Sequence, residues 1–99
     1  MKDLPVIAIT MGDPAGIGPE IILKSFAKNE ISKYCTPLVV GDESFLKKTS
    51  EALNIPPLSS NYILNLKNIP QGFAIGKPSS NGGAAAVEYI KIAVDLAMV

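Results

Sequence analysis

The chain is 99 residues long, 47% hydrophobic and only 18% charged, with nine basic and nine acidic side chains. That length bounds it to one small domain at most, and the apolar content excludes a disordered chain. A formal charge of zero gives no electrostatic case for binding nucleic acid or an anionic membrane.

A single cysteine, Cys35, excludes an internal disulfide and points to a reducing compartment. With no histidine in the chain to activate it, Cys35 reads as a passive apolar residue. Residues 1–5 lack the apolar core of a signal peptide, and no apolar run approaches the ~20 residues needed to span a bilayer. The expectation is a soluble, cytoplasmic protein.

Residues 6–10, Val-Ile-Ala-Ile-Thr, form a β-branched apolar run that predicts a strand buried on both faces, as in a parallel sheet. The stretch "MGDPAGIGPEI", residues 11–21, follows with three glycines and two prolines. A helix is predicted over 19–28. Pro19 suits its first position, Glu20 complements the helix dipole, and Glu20 and Lys24 form an i,i+4 pair. Ile22, Leu23 and Phe26 give that helix an apolar face. A second buried strand is predicted over 37–41, and Asp42 can cap a helix over 43–53. The stripe of that helix is Phe45, Leu46, Thr49 and Leu53, and Ile55-Pro56-Pro57 ends it. Strand, helix, strand, helix is the pattern of parallel βαβ units with right-handed crossovers.

Residues 56–83 are rich in turn chemistry, with short strands expected at 62–66 and 73–75. They are too apolar for a disordered linker, so residues 1–99 are read without an internal boundary, and no repeat is visible. A last helix is predicted over 84–99, with Val87, Ile90, Val94 and Ala97 on one face, Glu88, Lys91 and Asp95 off that stripe, and Glu88 and Lys91 neighbours at i,i+3. Ala84-Ala85-Ala86 fits either plain helix propensity or close backbone approach. The run Leu96-Ala97-Met98-Val99 has no cap and is all apolar, so the expectation is a chain cut inside or just after a helix.

The glycines are spaced Gly12-x-x-x-Gly16-x-Gly18. This is neither the dinucleotide fingerprint G-x-G-x-x-G nor a P-loop. Yet a glycine turn between a parallel strand and a helix places N–H groups at the sheet's carboxyl edge, where ligands of open α/β sheets bind. An architectural reading stands beside the binding one. Gly16 and Gly18 can serve positive φ or tight packing, and Asp13 can accept hydrogen bonds from its own loop.

The string "ITMGDPAGIGPEI", residues 9–21, closely resembles the N-terminal signature of the 4-hydroxythreonine-4-phosphate dehydrogenase family of vitamin B6 biosynthesis. Gly16 to Glu20 also resembles the glycine turn of the wider isocitrate and isopropylmalate dehydrogenase-like superfamily, while Asp13-Pro14-Ala15 favours the B6 family. "LVVGDESFL" at 38–46 and "GKPSSNGGAAAVEYIKIAVDLA" at 76–97 fit that family too.

The resemblance implies an α/β fold of the isocitrate/isopropylmalate dehydrogenase type. It would be a three-layer α/β/α arrangement with a mainly parallel sheet, of which this chain is the N-terminal portion. It implies a homodimeric enzyme that uses NAD (or NADP) and a divalent metal, commonly zinc held by histidines at the dimer interface. The implied reaction oxidises the C3 alcohol of 4-phosphohydroxy-L-threonine, with decarboxylation to an amino-ketone phosphate. This chain departs from that pattern in having no histidine. The family chain is roughly three times longer than a domain-sized segment. Metal- and substrate-binding residues are therefore expected beyond Val99, and no catalytic or metal residue is assigned within the chain. Only Gly12, Asp13, Gly16 and Gly18 carry over, as cofactor-binding candidates. Asp13, Glu20 and Asp42 show no clustered ligand spacing and read as caps and turn acceptors. The 99 residues alone are expected to be inactive. Two alternatives remain: a same-family dehydrogenase for another phosphorylated four-carbon hydroxy acid, and a short non-enzymatic anion- or nucleotide-binding module.

Overall fold

A computed structural model describes residues 4–69 and 80–98. The strand expected at 73–75 lies outside the described residues.

β1 (Val6–Thr10) leads through the glycine turn into α1 (Gly18–Ala27), and β2 (Thr36–Gly41) into α2 (Glu43–Leu53). A short β3 (Ile63–Asn65) and a long α3 (Ser80–Ala97) complete the order, with single 3-10 turns at Ile31–Lys33 and Ser60–Tyr62. The strands pair in the order β1-β2-β3, all parallel, with Val6 opposite Thr36 and Val39 opposite Ile63. Each crossover moves the chain one strand the same way. α1 and α2 therefore share one face and pack on each other, and α3 lies across β1 and β2 on the other face.

β2 shows why the sheet needs both layers. Val39 and Val40 point to opposite faces, and both are fully buried. Ile22, Leu23, Phe45 and Leu46 join them in one core with Ala85 and Tyr89. Each such large apolar side chain contributes about 1.5–3 kcal/mol through burial.

Local chemistry sets the helix limits. α1 starts at Gly18, one residue before the predicted start, so Pro19 occupies the second helical position. The Glu20–Lys24 pair forms at 3.2 Å. Asp42 caps α2 as its position predicts, its carboxylate accepting the Phe45 N–H at 2.9 Å. α2 ends earlier than its prolines require. Asn54 adopts a left-handed conformation, φ 56°, and closes the helix by bonding back to the Ser50 and Glu51 carbonyls. On α2, Ser50 takes the buried place expected of Leu53, which is exposed.

Two expectations are overturned. β1 is not buried on both faces. Among the described residues it is an edge strand, and Val6 and Ile7 are exposed. α3 also presents a different face. It buries Ala85 and Tyr89 and half-buries Ile92 and Ala93, leaving Val87, Ile90, Val94 and Ala97 exposed. α3 is apolar nearly all round, so its period does not select one stripe. The small Ala85 and Ala93 let the helix lie close to the sheet. Tyr89 sits on that side because its hydroxyl has a partner there. Glu88 accepts a hydrogen bond from the Asn68 amide at 3.1 Å, and the only ion pair among the described residues is Glu20–Lys24, so the expected Glu88–Lys91 pair is not made. No described helix is long and apolar enough to cross a membrane.

Candidate functional site

All three strands run parallel, so their carboxyl ends lie on one edge of the sheet. The glycine turn sits at the end of β1 on that edge. Met11 anchors it: the residue is fully buried, and its N–H extends the ladder to Val40 O at 3.0 Å. Gly12 then turns the chain with φ +75°, a conformation costly for any other L-residue. Asp13 organises the next three residues. Its carboxylate accepts the Ala15 N–H at 2.8 Å, and its carbonyl accepts the Gly16 N–H at 2.9 Å. Pro14 is buried beneath this turn.

Gly16 and Gly18 serve packing. Neither has positive φ. A Cβ on Gly16 would lie 3.3 Å from the Asp13 carbonyl oxygen, and one on Gly18 would collide with the Met11 carbonyl oxygen. The helix start is thus drawn directly against the strand end. Gly12 differs, because a Cβ there would meet nothing within 4 Å. The outer side of the turn is open at that point.

The N–H inventory defines what this turn can hold. Those of Ala15 and Gly16 are used internally. α1 has no side-chain cap, which leaves the first-turn N–H groups of Ile17, Gly18 and Glu20 for solvent or a ligand. Pro19 supplies none. The Asp13 carboxylate is engaged by the Ala15 N–H and that of Glu20 by Lys24. Beside the turn, an apolar cleft of about 380 Å³ runs to α2, lined by Pro14, Gly16, Ile17, Pro19, Phe45 and Leu53. Another groove, of about 230 Å³, is lined by Phe26, Pro37, Pro57 and Tyr62 at the amino edge, far from this chemistry.

A second cluster on the carboxyl edge is not legible from sequence spacing. Asp42 serves two backbone donors at once, Phe45 N–H at 2.9 Å and Ile69 N–H at 3.2 Å. Asn65 does likewise for Glu43 and Lys67, at 3.0 and 3.2 Å. The fully buried Tyr89 donates its hydroxyl to Asn68 Oδ1 at 2.7 Å. Burial pushes the Tyr89 phenol far above its ordinary value, and the negative charges of Asp42 and Glu88 reinforce the shift. Tyr89 therefore stays a neutral donor. Gly41 also escaped sequence reading: a Cβ there would lie 2.9 Å from Met11 Cβ, so its smallness seats Met11.

The structure thus keeps Gly12, Asp13, Gly16 and Gly18 in one turn at the carboxyl edge. It shows three of them in structural roles and the fourth at an open position. Among the described residues no group of three or more metal-ligating side chains comes together.

No protein-family model matches the chain. Individual relatives do. It is 39% identical to the D-threonate 4-phosphate dehydrogenase of Cupriavidus necator, over 94% of this chain and 32% of that one. Among solved structures, a 4-hydroxythreonine-4-phosphate dehydrogenase from Burkholderia phymatum superposes with a TM-score of 0.88 at 35% identity, over 98% of this chain and 34% of that one. The chain is a relative of these dehydrogenases. It spans about a third of the length of the curated relatives it matches.

Proposed function

We propose that the protein to which these residues belong is a dehydrogenase of a phosphorylated four-carbon hydroxy acid, and that the glycine turn lines its cofactor cleft. The observation that supports this is the turn's place. An ordered glycine loop at the carboxyl edge of a parallel sheet opens at Gly12 and offers the uncapped N–H groups of α1. NAD or NADP, when bound, would accept the hydride. This chain's own contribution is to hold a rigid, close-approach surface. Gly12 and Gly16 admit the cofactor near the backbone, Gly18 keeps the helix start in place, and Asp13 fixes the loop that carries them.

The residues present do not fit a metal. The chain has no histidine, Asp13 and Asp42 are taken up as turn acceptor and cap, and no three ligating side chains come together among the described residues. No step is assigned to a metal within these residues, and any zinc or other divalent ion belongs to ligands outside this chain. A homodimer is likewise proposed for the full-length enzyme.

Two substrates fit the reading. 4-Phosphohydroxy-L-threonine matches the solved neighbour's name, whereas the curated relatives carry the name of D-threonate 4-phosphate. Assay of the complete protein on both, with NAD and NADP, decides between them. Gly16→Val in that protein tests the turn: cofactor KM should rise at least tenfold. Unchanged kinetics in a folded variant would reduce the turn to architecture. The 99 residues alone should reduce no NAD with either substrate and zinc present, and a steady NADH signal from them would overturn the assignment.

A further inference from the structure

Met11 is held on three sides where β1 meets the glycine turn. Its N–H bonds to Val40 O at 3.0 Å, which fixes it against β2. Its carbonyl oxygen stands so close to Gly18 that a Cβ there would run into it. Its side chain is fully buried and rests on Gly41, the last residue of β2. The three atoms nearest to a Cβ built on Gly41 all belong to Met11: Cβ at 2.9 Å, Sδ at 3.0 Å and Cγ at 3.4 Å. Sδ sits on a flexible stem and can swing aside. Cβ is fixed to the backbone, so relieving that contact must move the main chain of Met11.

β2 cannot take up that movement. It is paired to β1 on one side and to β3 on the other. Gly41 O accepts the Leu66 N–H at 2.9 Å, and the next residue, Asp42, is tied to the Phe45 and Ile69 N–H groups. α1 cannot take it up either, because Gly18 already stands against the Met11 carbonyl. The outlet that remains is Gly12, whose outer side is open and whose φ of +75° turns the chain away from the sheet. We infer that Gly41 is a positioning residue for the glycine turn. By leaving out a side chain it seats Met11, and through Met11 it sets where the Gly12 backbone stands at the carboxyl edge. The end of one strand thus places the loop that follows another. The effect on cofactor binding rests on the reading of the turn as the lining of the cofactor cleft, whereas the seating itself does not.

The test is Gly41→Ala in the complete protein, read in two ways. The Ala15 and Gly16 N–H groups close the turn on Asp13, and their exchange should rise about tenfold as the turn loses its seat. Cofactor KM should rise about tenfold, because a small misplacement of a close-approach surface weakens binding, while the KM for the phosphorylated acid stays within about twofold. Phe26→Leu, at the amino edge, controls for lost stability alone and should leave both readouts at the parent's values. Faster exchange with an unchanged cofactor KM supports the seating and overturns the cofactor reading. Exchange at the parent's rate overturns the inference whatever the kinetics, and Gly16→Val then decides the cofactor reading separately. Should Gly41→Ala not fold, Met11→Gly carries the test, since it removes all three atoms that the new Cβ meets. The Met11→Gly, Gly41→Ala double variant should then exchange within about twofold of Met11→Gly alone. A double variant that fails to fold where Met11→Gly folds, or that exchanges about tenfold faster, overturns the inference.

Discussion

Replacing Gly18 and Gly83 separately by alanine sets propensity against sterics in two helices of one protein. Alanine is the better helix former by at most about 1 kcal/mol, so propensity alone predicts that both changes stabilise. At Gly83 nothing lies within 4 Å of an added Cβ. Gly83→Ala should therefore gain about 0.5–1 kcal/mol. At Gly18 the Cβ runs into the Met11 carbonyl oxygen and lies 3.3 Å from its carbon. Met11 cannot retreat, because its N–H is held by Val40 O and its side chain is packed at Gly41. Overpacking of this kind costs about 1–3 kcal/mol, and a clash with fixed backbone belongs at the upper end. The net effect of Gly18→Ala should be a loss of about 2 kcal/mol. Urea titration measures both, and thermal scans should show Gly18→Ala melting roughly 10 °C lower and Gly83→Ala a few degrees higher. A Gly18→Ala variant as stable as the parent would refute the close strand-to-helix approach on which the turn's rigidity rests.

Three further outcomes follow from the carboxyl-edge cluster and the thiol. Asp42→Ala removes the acceptor of two backbone donors and should cost about 2–3 kcal/mol in urea titration, with faster exchange at Phe45 and Ile69. Tyr89→Phe deletes the bond to Asn68 and should cost about 1 kcal/mol at neutral pH. The Tyr89 phenol titrates above its ordinary value of 10.0 when folded, so its contribution is complete below pH 10 and is lost as pH rises further, when the unfolded chain gives up its proton first. The parent's stability should fall above pH 10 more steeply than that of Tyr89→Phe, and identical slopes would contradict the buried neutral phenol. Cys35 is buried, its thiol directed to the Ile31 carbonyl at 3.8 Å, so a thiol reagent should label it only as fast as the chain opens.

The elements that could be read from sequence are those whose signals are local. Val6–Thr10, the Asp42 cap and the Glu20–Lys24 pair each depend on residues within four positions of one another, and the structure forms all three where they are expected, although the strand is not buried on both faces. The glycine turn belongs here as well. Its position was legible, though the division of labour was not, because positive φ falls at Gly12 while Gly16 and Gly18 answer to contacts with Asp13 and Met11. What sequence could not supply depends on separation. Asp42 bonds a residue 27 positions away, and Tyr89 one 21 positions away. Neither spacing corresponds to a period or a motif. The orientation of α3 fails for the same reason. Counting large apolar residues selects Val87, Ile90 and Val94, yet the helix turns Tyr89 inward, where Asn68, three residues beyond β3, accepts its hydroxyl. That choice has a consequence for the whole molecule. The polar lock at the carboxyl edge fixes which face of α3 meets the sheet, so Val87, Ile90 and Val94 on the other face are left exposed. Releasing the lock should therefore loosen the seating of α3 on β1 as well as cost local stability.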